Sequence, residues 1–141
     1  MRKRLSISSA ILSWPLLVLL ITPGVQAPLA ARPSTPPKAI KVWSGLASWY
    51  GSEFDGKKTA SGQLYDMFAA TAAHPWLPFG SLLRITDVKT GHSQLVRIND
   101  RGPFIDDREL DVSYLVASRL GLIGRGVALV RIELLQEPRL P

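Results

Sequence analysis

Two short runs, Ser81 to Asp87 and His92 to Asn99, flank a turn at Thr90-Gly91 and constrain the fold more than any other stretch of the chain. Leu83, Ile85, Leu95 and Arg97 are among their alternating positions, which is the period of a pleated strand, so the segment predicts an antiparallel hairpin. Other segments carry the same signature. Trp43 to Tyr50 alternates imperfectly, is rich in aromatics and predicts a first strand. Phe68 to Ala73 predicts a short strand before a turn at His74-Pro75, and Val127 to Leu135 a final one. Gly51 to Gly62 mixes glycine, charge and small polar residues, the composition of a long loop over the core. Asn99-Asp100-Arg101-Gly102-Pro103 suits a tight turn. Ser113 is placed to cap a short helix through Leu120, and Gly121 to end it in a left-handed conformation. Many short strands around one helix predict a compact all-β barrel whose topology the periodicity leaves open.

With 141 residues, 46% of them hydrophobic, the chain has material for one small core and not for two ordinary domains. It has no cysteine, so disulfides, a thiolate zinc site and a lipid-modified cysteine are excluded, and packing must supply the stability. The formal charge of +6 suggests nucleic acid until its placement is considered. Residues 42–135 hold ten basic and ten acidic side chains, and the excess lies in the flanking tails. With no interleaved basic and aromatic stripe, no nucleic-acid partner is expected.

Arg2, Lys3 and Arg4 precede an apolar run from Ala10 to Ile21, and Val25-Gln26-Ala27 offers a signal-peptidase site, so residues 1–27 are expected to be an export signal. The run is short for a membrane span. Pro28 disfavours cleavage after Ala27, which leaves open processing after Ala30 or Ala31, or retention as an amino-terminal membrane anchor. Residues 28–41, with Pro28, Pro33, Pro36 and Pro37, predict an extended linker. The domain itself is expected over 42–135, and 136–141 as a tail.

Four groups of residues then point to a family. They are Gly45-Leu46-Ala47-Ser48-Trp49-Tyr50-Gly51, Lys58-Thr59-Ala60-Ser61-Gly62, Thr71-Ala72-Ala73-His74 with Leu77-Pro78, and Val96 through Phe104 around Asn99-Asp100-Arg101-Gly102-Pro103. Leu110-Asp111-Val112-Ser113 and Leu120-Gly121 continue the pattern. Together they cover nearly all of the domain, which resembles the rare lipoprotein A family of double-psi β-barrel proteins, some of them lytic transglycosylases. The resemblance implies a six-stranded double-psi β-barrel with a short helix, whose loops converge on a glycan groove. It implies an exported, periplasmic or envelope-associated protein acting on peptidoglycan glycan strands to leave anhydromuramoyl ends. A noncatalytic peptidoglycan binder, or an adaptor to other envelope proteins, is the alternative.

The family's principal acid or base corresponds to Asp100, and its motif histidine to His74. The family's usual glutamate is matched here by Gln63, which can hydrogen-bond but cannot act as a carboxylate. Gln63 is therefore expected to bind glycan, and Asp66, three residues on, is the nearby source of charge. Proton donation by Asp100 needs burial or a neighbouring acid to raise its affinity for the proton. His74 is expected as a catalytic helper that hydrogen-bonds the sugar, orients Asp100 or shuttles a proton, the last only if its environment leaves it near its reference value. Tyr50 is expected on the groove as an apolar face for sugar, and Trp49 mainly in the packing. Arg101 is assigned either to an acidic loop residue or to substrate, and Asp111 to the turn entering the helix. No cofactor is expected, and two histidines without cysteine make a metal centre a weak proposal.

Overall fold

The computed structural model describes residues 36–105 and 107–136. The expected signal segment, most of the linker and residues 137–141 lie outside them. Within them run β1 (Ala39–Trp49), β2 (Thr71–Ala73), β3 (Leu82–Asp87), β4 (Ser93–Asp100), β5 (Arg108–Val112), α1 (Tyr114–Leu120) and β6 (Ala128–Leu135). The strands form a closed barrel in the order β1-β5-β2-β4-β3-β6. Two pairs, β1 with β5 and β2 with β4, are parallel and the other four antiparallel. Closure leaves no unpaired strand edge in a sheet that would otherwise expose two.

The expected hairpin is β3–β4, with Leu83 opposite Val96 and Ile85 opposite Gln94. Leu83, Ile85, Val96 and Ile98 point inward and are inaccessible, or nearly so, to solvent. In β4 the inward set is thus Val96 and Ile98, while Leu95 and Arg97 face out. The inward residues Leu83, Ile85, Val96 and Ile98 meet Leu110 and Val112 of β5, Val130 and Ile132 of β6, and the small Ala47 and Ala72 of β1 and β2. Burying a branched aliphatic side chain contributes about 1.5–3 kcal/mol, so this layer carries most of the stability of a domain without cross-links.

Helix α1 packs against β4 and β1 and adds Val116, Ala117 and Leu120 to the core. Its ends are as expected. The Ser113 hydroxyl accepts from the Val116 N–H, and Gly121 adopts φ 72° and ψ 30°, donating its N–H to the carbonyls of Ala117 and Ser118. Asp87, the last residue of β3, is buried. It accepts from the Thr90 N–H at 2.9 Å and from the Arg125 guanidinium at 2.5 Å. Burial alone would raise its pKa, but the bonds from Arg125 and Thr90 outweigh it and hold the carboxyl below its ordinary value.

Two elements differ from expectation. The first strand begins at Ala39, inside the segment expected as linker, because its backbone pairs with β6 from Ala39 opposite Leu135 onward. Beyond that pair, the Gln136 N–H donates to the Lys38 carbonyl at 2.8 Å, so the two ends of the barrel leave side by side. The second difference is β5, which sequence periodicity did not single out.

Candidate active site

The loop from Gly51 to Gly62 folds back over the barrel wall. Backbone bonds tie it to itself, from Tyr65 N–H to the Lys57 carbonyl at 2.7 Å and from Thr59 N–H to the Gln63 carbonyl at 2.7 Å. Two further bonds tie it to the end of β4. The Ala60 N–H donates to Asp100 Oδ1 at 2.8 Å and the Ser61 N–H to the Asn99 carbonyl at 3.2 Å. Between loop and wall lies a cavity of about 190 Å³. Lys57, Lys58 and Thr59 line it from the loop, and Tyr50, Ala73, Asp100, Arg101 and Asp111 from the barrel.

Three of the expected residues meet there. Asp100 Oδ1 also accepts from the Arg101 N–H at 2.8 Å, so two backbone donors fix the carboxylate at the cavity wall. The Arg101 guanidinium donates to the Leu77 carbonyl at 2.9 Å and the His74 carbonyl at 3.3 Å, and lies 3.8 Å above the Phe79 ring. Arg101 and Asp100 both line the cavity. Tyr50 packs its ring 4.4 Å from that of Tyr65. Burial, then Tyr65 and Asp100, keep its phenol above the ordinary range, so Tyr50 stays a neutral hydroxyl.

Asp111 was expected to organise the turn into the helix; Ser113 does that, and Asp111 stands within β5 on the cavity. Its Oδ2 lies 3.3 Å from Arg108, while its Oδ1 is buried with no hydrogen-bond partner among the described residues. Burial raises its pKa and Arg108 only partly opposes this, so the neutral, proton-bearing form is favoured relative to an exposed aspartate. The cavity therefore holds two carboxyl groups in unlike surroundings.

His74 and Gln63 lie elsewhere. His74 is wholly buried behind the wall and does not line the cavity. Its Nδ1 accepts from the N–H groups of Trp76 at 3.3 Å and Leu77 at 3.1 Å, which places the proton on Nε2. Burial, reinforced by Arg101 and Lys41, lowers its pKa to about 4. Glu109 stands 3.7 Å from Nε2 with its side chain 41% exposed, too distant and too well hydrated to reverse that. The condition for proton shuttling near neutrality, a value near 6.5, is not met. What His74 does supply is support, through its N–H to the Asp100 carbonyl at 3.3 Å and its own carbonyl to Arg101.

Gln63 opens on a neighbouring cavity of about 120 Å³, with Ser61, Phe79 and Asn99. Its Oε1 accepts from Asn99 Nδ2 at 3.2 Å. Asn99 is the odd residue of a bulge, since Ala72 pairs with Ile98 and Ala73 with Asp100, and Asn99 and Asp100 line different cavities. Asp66 caps its own loop by accepting from the Phe68 N–H at 2.8 Å. Trp49 packs on the core, and Phe104 is 82% exposed.

Among solved structures the fold is similar to that of Streptomyces papain inhibitor, with a TM-score of 0.57 at 18% identity over 72% of this chain and 100% of the other. It is likewise similar to the expansin of Clavibacter michiganensis, with a TM-score of 0.56 at 17% identity over 72% and 54%. In sequence the chain is 49% identical over 92 residues to the endolytic peptidoglycan transglycosylase RlpA of Vibrio cholerae, covering 65% of this chain and 35% of that one. It is 47% identical over 107 residues to that of Neisseria meningitidis, covering 74% and 45%. The chain thus spans less than half the length of these relatives. Residues 42–132 match the family model described as lytic transglycolase, a span that takes in β2 to β5, most of β1 and β6, and both carboxylates of the cavity. By that match the chain is a member of the lytic transglycolase family, built on the double-psi β-barrel.

Proposed function

We propose that this protein cleaves the glycan strands of peptidoglycan in the cell envelope by transglycosylation, leaving anhydromuramoyl ends. The observation that carries this reading is the pairing of Asp100 and Asp111 on one open cavity, one fixed by backbone N–H groups and the other biased toward its protonated form. Asp111 gives its proton to the glycosidic oxygen as the bond to the muramoyl C1 breaks and the electron pair leaves with that oxygen. Positive character at C1 faces the Asp100 carboxylate. The muramoyl C6 hydroxyl then closes on C1 and loses its proton to Asp100, and solvent resets the pair. Arg101 and Tyr50 bind the sugar, Gln63 contacts the glycan outside the reacting centre, and His74 is a positioning residue.

The test is incubation of the purified protein with intact and peptide-stripped peptidoglycan, with the released glycans identified by mass spectrometry. Anhydromuramoyl products are expected, and Asp100→Asn or Asp111→Asn lowers the rate by roughly 10²- to 10⁴-fold. Binding without such products refutes the reading. A fully active Asp111→Asn variant removes Asp111 from the mechanism.

A further inference from the structure

The smaller cavity adjoins the one that holds Asp100. Thr59 faces the carboxylate cavity and Ser61 the smaller one, with their hydroxyls 3.0 Å apart. Asp100 and Asn99 divide in the same way, and the Arg101–Phe79 stack stands between. The second opening thus lies beside any sugar held at Asp100. At about 120 Å³ this opening suits a side arm of a sugar rather than the whole ring.

Its lining offers the carboxamides of Gln63 and Asn99, beside the Arg97 guanidinium, which donates to the Gly80 carbonyl at 2.8 Å. Asn99, 6% exposed, holds Gln63 Oε1 through Nδ2, which fixes the Gln63 carboxamide and leaves its Nε2 without a partner among the described residues. Phe79, which is exposed, supplies apolar surface on the same lining. We propose that this cavity receives the acetamido arm of an N-acetylated hexosamine, with Gln63 donating to the acetyl carbonyl and the methyl group resting against Phe79. The inference rests on the glycan reading for its ligand class, though not on turnover. An acetamido arm carries both a carbonyl and an N–H, so it suits the Gln63 carboxamide in either orientation. A hydroxyl in its place leaves the apolar wall uncovered. A glutamate at position 63 still accepts from Asn99 but, when ionised, presents only a second acceptor to the carbonyl.

Two uncharged β-1,4-linked tetramers, one of N-acetylglucosamine and one of glucose, differ in this arm alone. Titrated into the full-length protein and followed by amide NMR shifts, the acetylated tetramer is expected to bind more tightly and to shift Ser61, Gln63 and Gly80. Gln63→Ala and Gln63→Glu each weaken it by about 3- to 10-fold, the worth of one neutral hydrogen bond, and leave the glucose tetramer unchanged. Equal binding of the two tetramers, no binding of the acetylated one, or insensitivity to both variants overturns the proposal. Peptidoglycan products measured on the same preparations separate this failure from failure of the cleavage reading. Products made by a protein blind to the acetyl group sink only the subsite, and acetyl preference without products sinks only the chemistry.

Discussion

His74→Asn tests the electrostatics behind the cavity wall. The imidazole is wholly buried, with Nδ1 accepting from two backbone N–H groups, and the Asn carbonyl oxygen can take over as their acceptor. The pKa of His74 falls from 6.5 when exposed to about 4 in the fold. Between those values the unfolded chain binds a proton that the folded chain refuses, so folding loses stability as pH falls from 6.5 through 4 and keeps it all above 6.5. At about 1.4 kcal/mol per pH unit, the loss between pH 7.5 and pH 4.5 is on the order of 2 to 3 kcal/mol. The variant has no such group, so its stability gap from the natural protein narrows by that amount over the same range. Carboxylates remote from position 74 titrate alike in both proteins and cancel in the difference. Urea unfolding followed by tryptophan fluorescence at four pH values measures the gap directly. A gap that stays constant, or widens toward low pH as it would if Glu109 stabilised a protonated His74, refutes the argument.

Three other perturbations have definite outcomes. Arg125→Ala strips the main partner from a carboxylate whose side chain is 1% exposed, and should cost about 3 kcal/mol in urea unfolding. Gly121→Ala places a side chain at φ 72° and should cost about 1 kcal/mol, seen as a melting temperature lower by roughly 4 °C. If Asp111 is the proton donor, the rate of glycan release falls as pH rises through its elevated pKa, and Asp111→Asn abolishes that limb of the pH profile.

The hairpin and helix were legible because their signals are local. Leu83 and Ile85 repeat at the strand period within one run, and Ser113 and Gly121 mark the helix ends by properties of single residues. Strand β5 was not legible, since in Arg108-Glu109-Leu110-Asp111-Val112 only two apolar residues alternate and the stabilising partner is the distant β1. Missing β5 also hid Asp111, although Leu110 and Val112 facing inward would have turned Asp111 to the opposite face. The family resemblance brought Asp100, His74 and Gln63 to notice together, but their separation depends on depth. One is at the wall, one is behind it and one is beyond the bulge, and motif spacing does not encode that. Lys57 and Lys58 reach the cavity only through the fold of their loop.

The adjacent exit of the two barrel ends has a mechanical consequence. A pull that separates Lys38 from Gln136 acts across the β1–β6 ladder, loading its hydrogen bonds one after another from the Ala39–Leu135 end instead of all at once. Tension between the two ends would unzip the seam of the barrel at low force. If a glycan is held at Asp100 as proposed, tension between it and one end bypasses this weak direction, because the load then enters through β4, which is not a partner of β1 or β6 in the sheet.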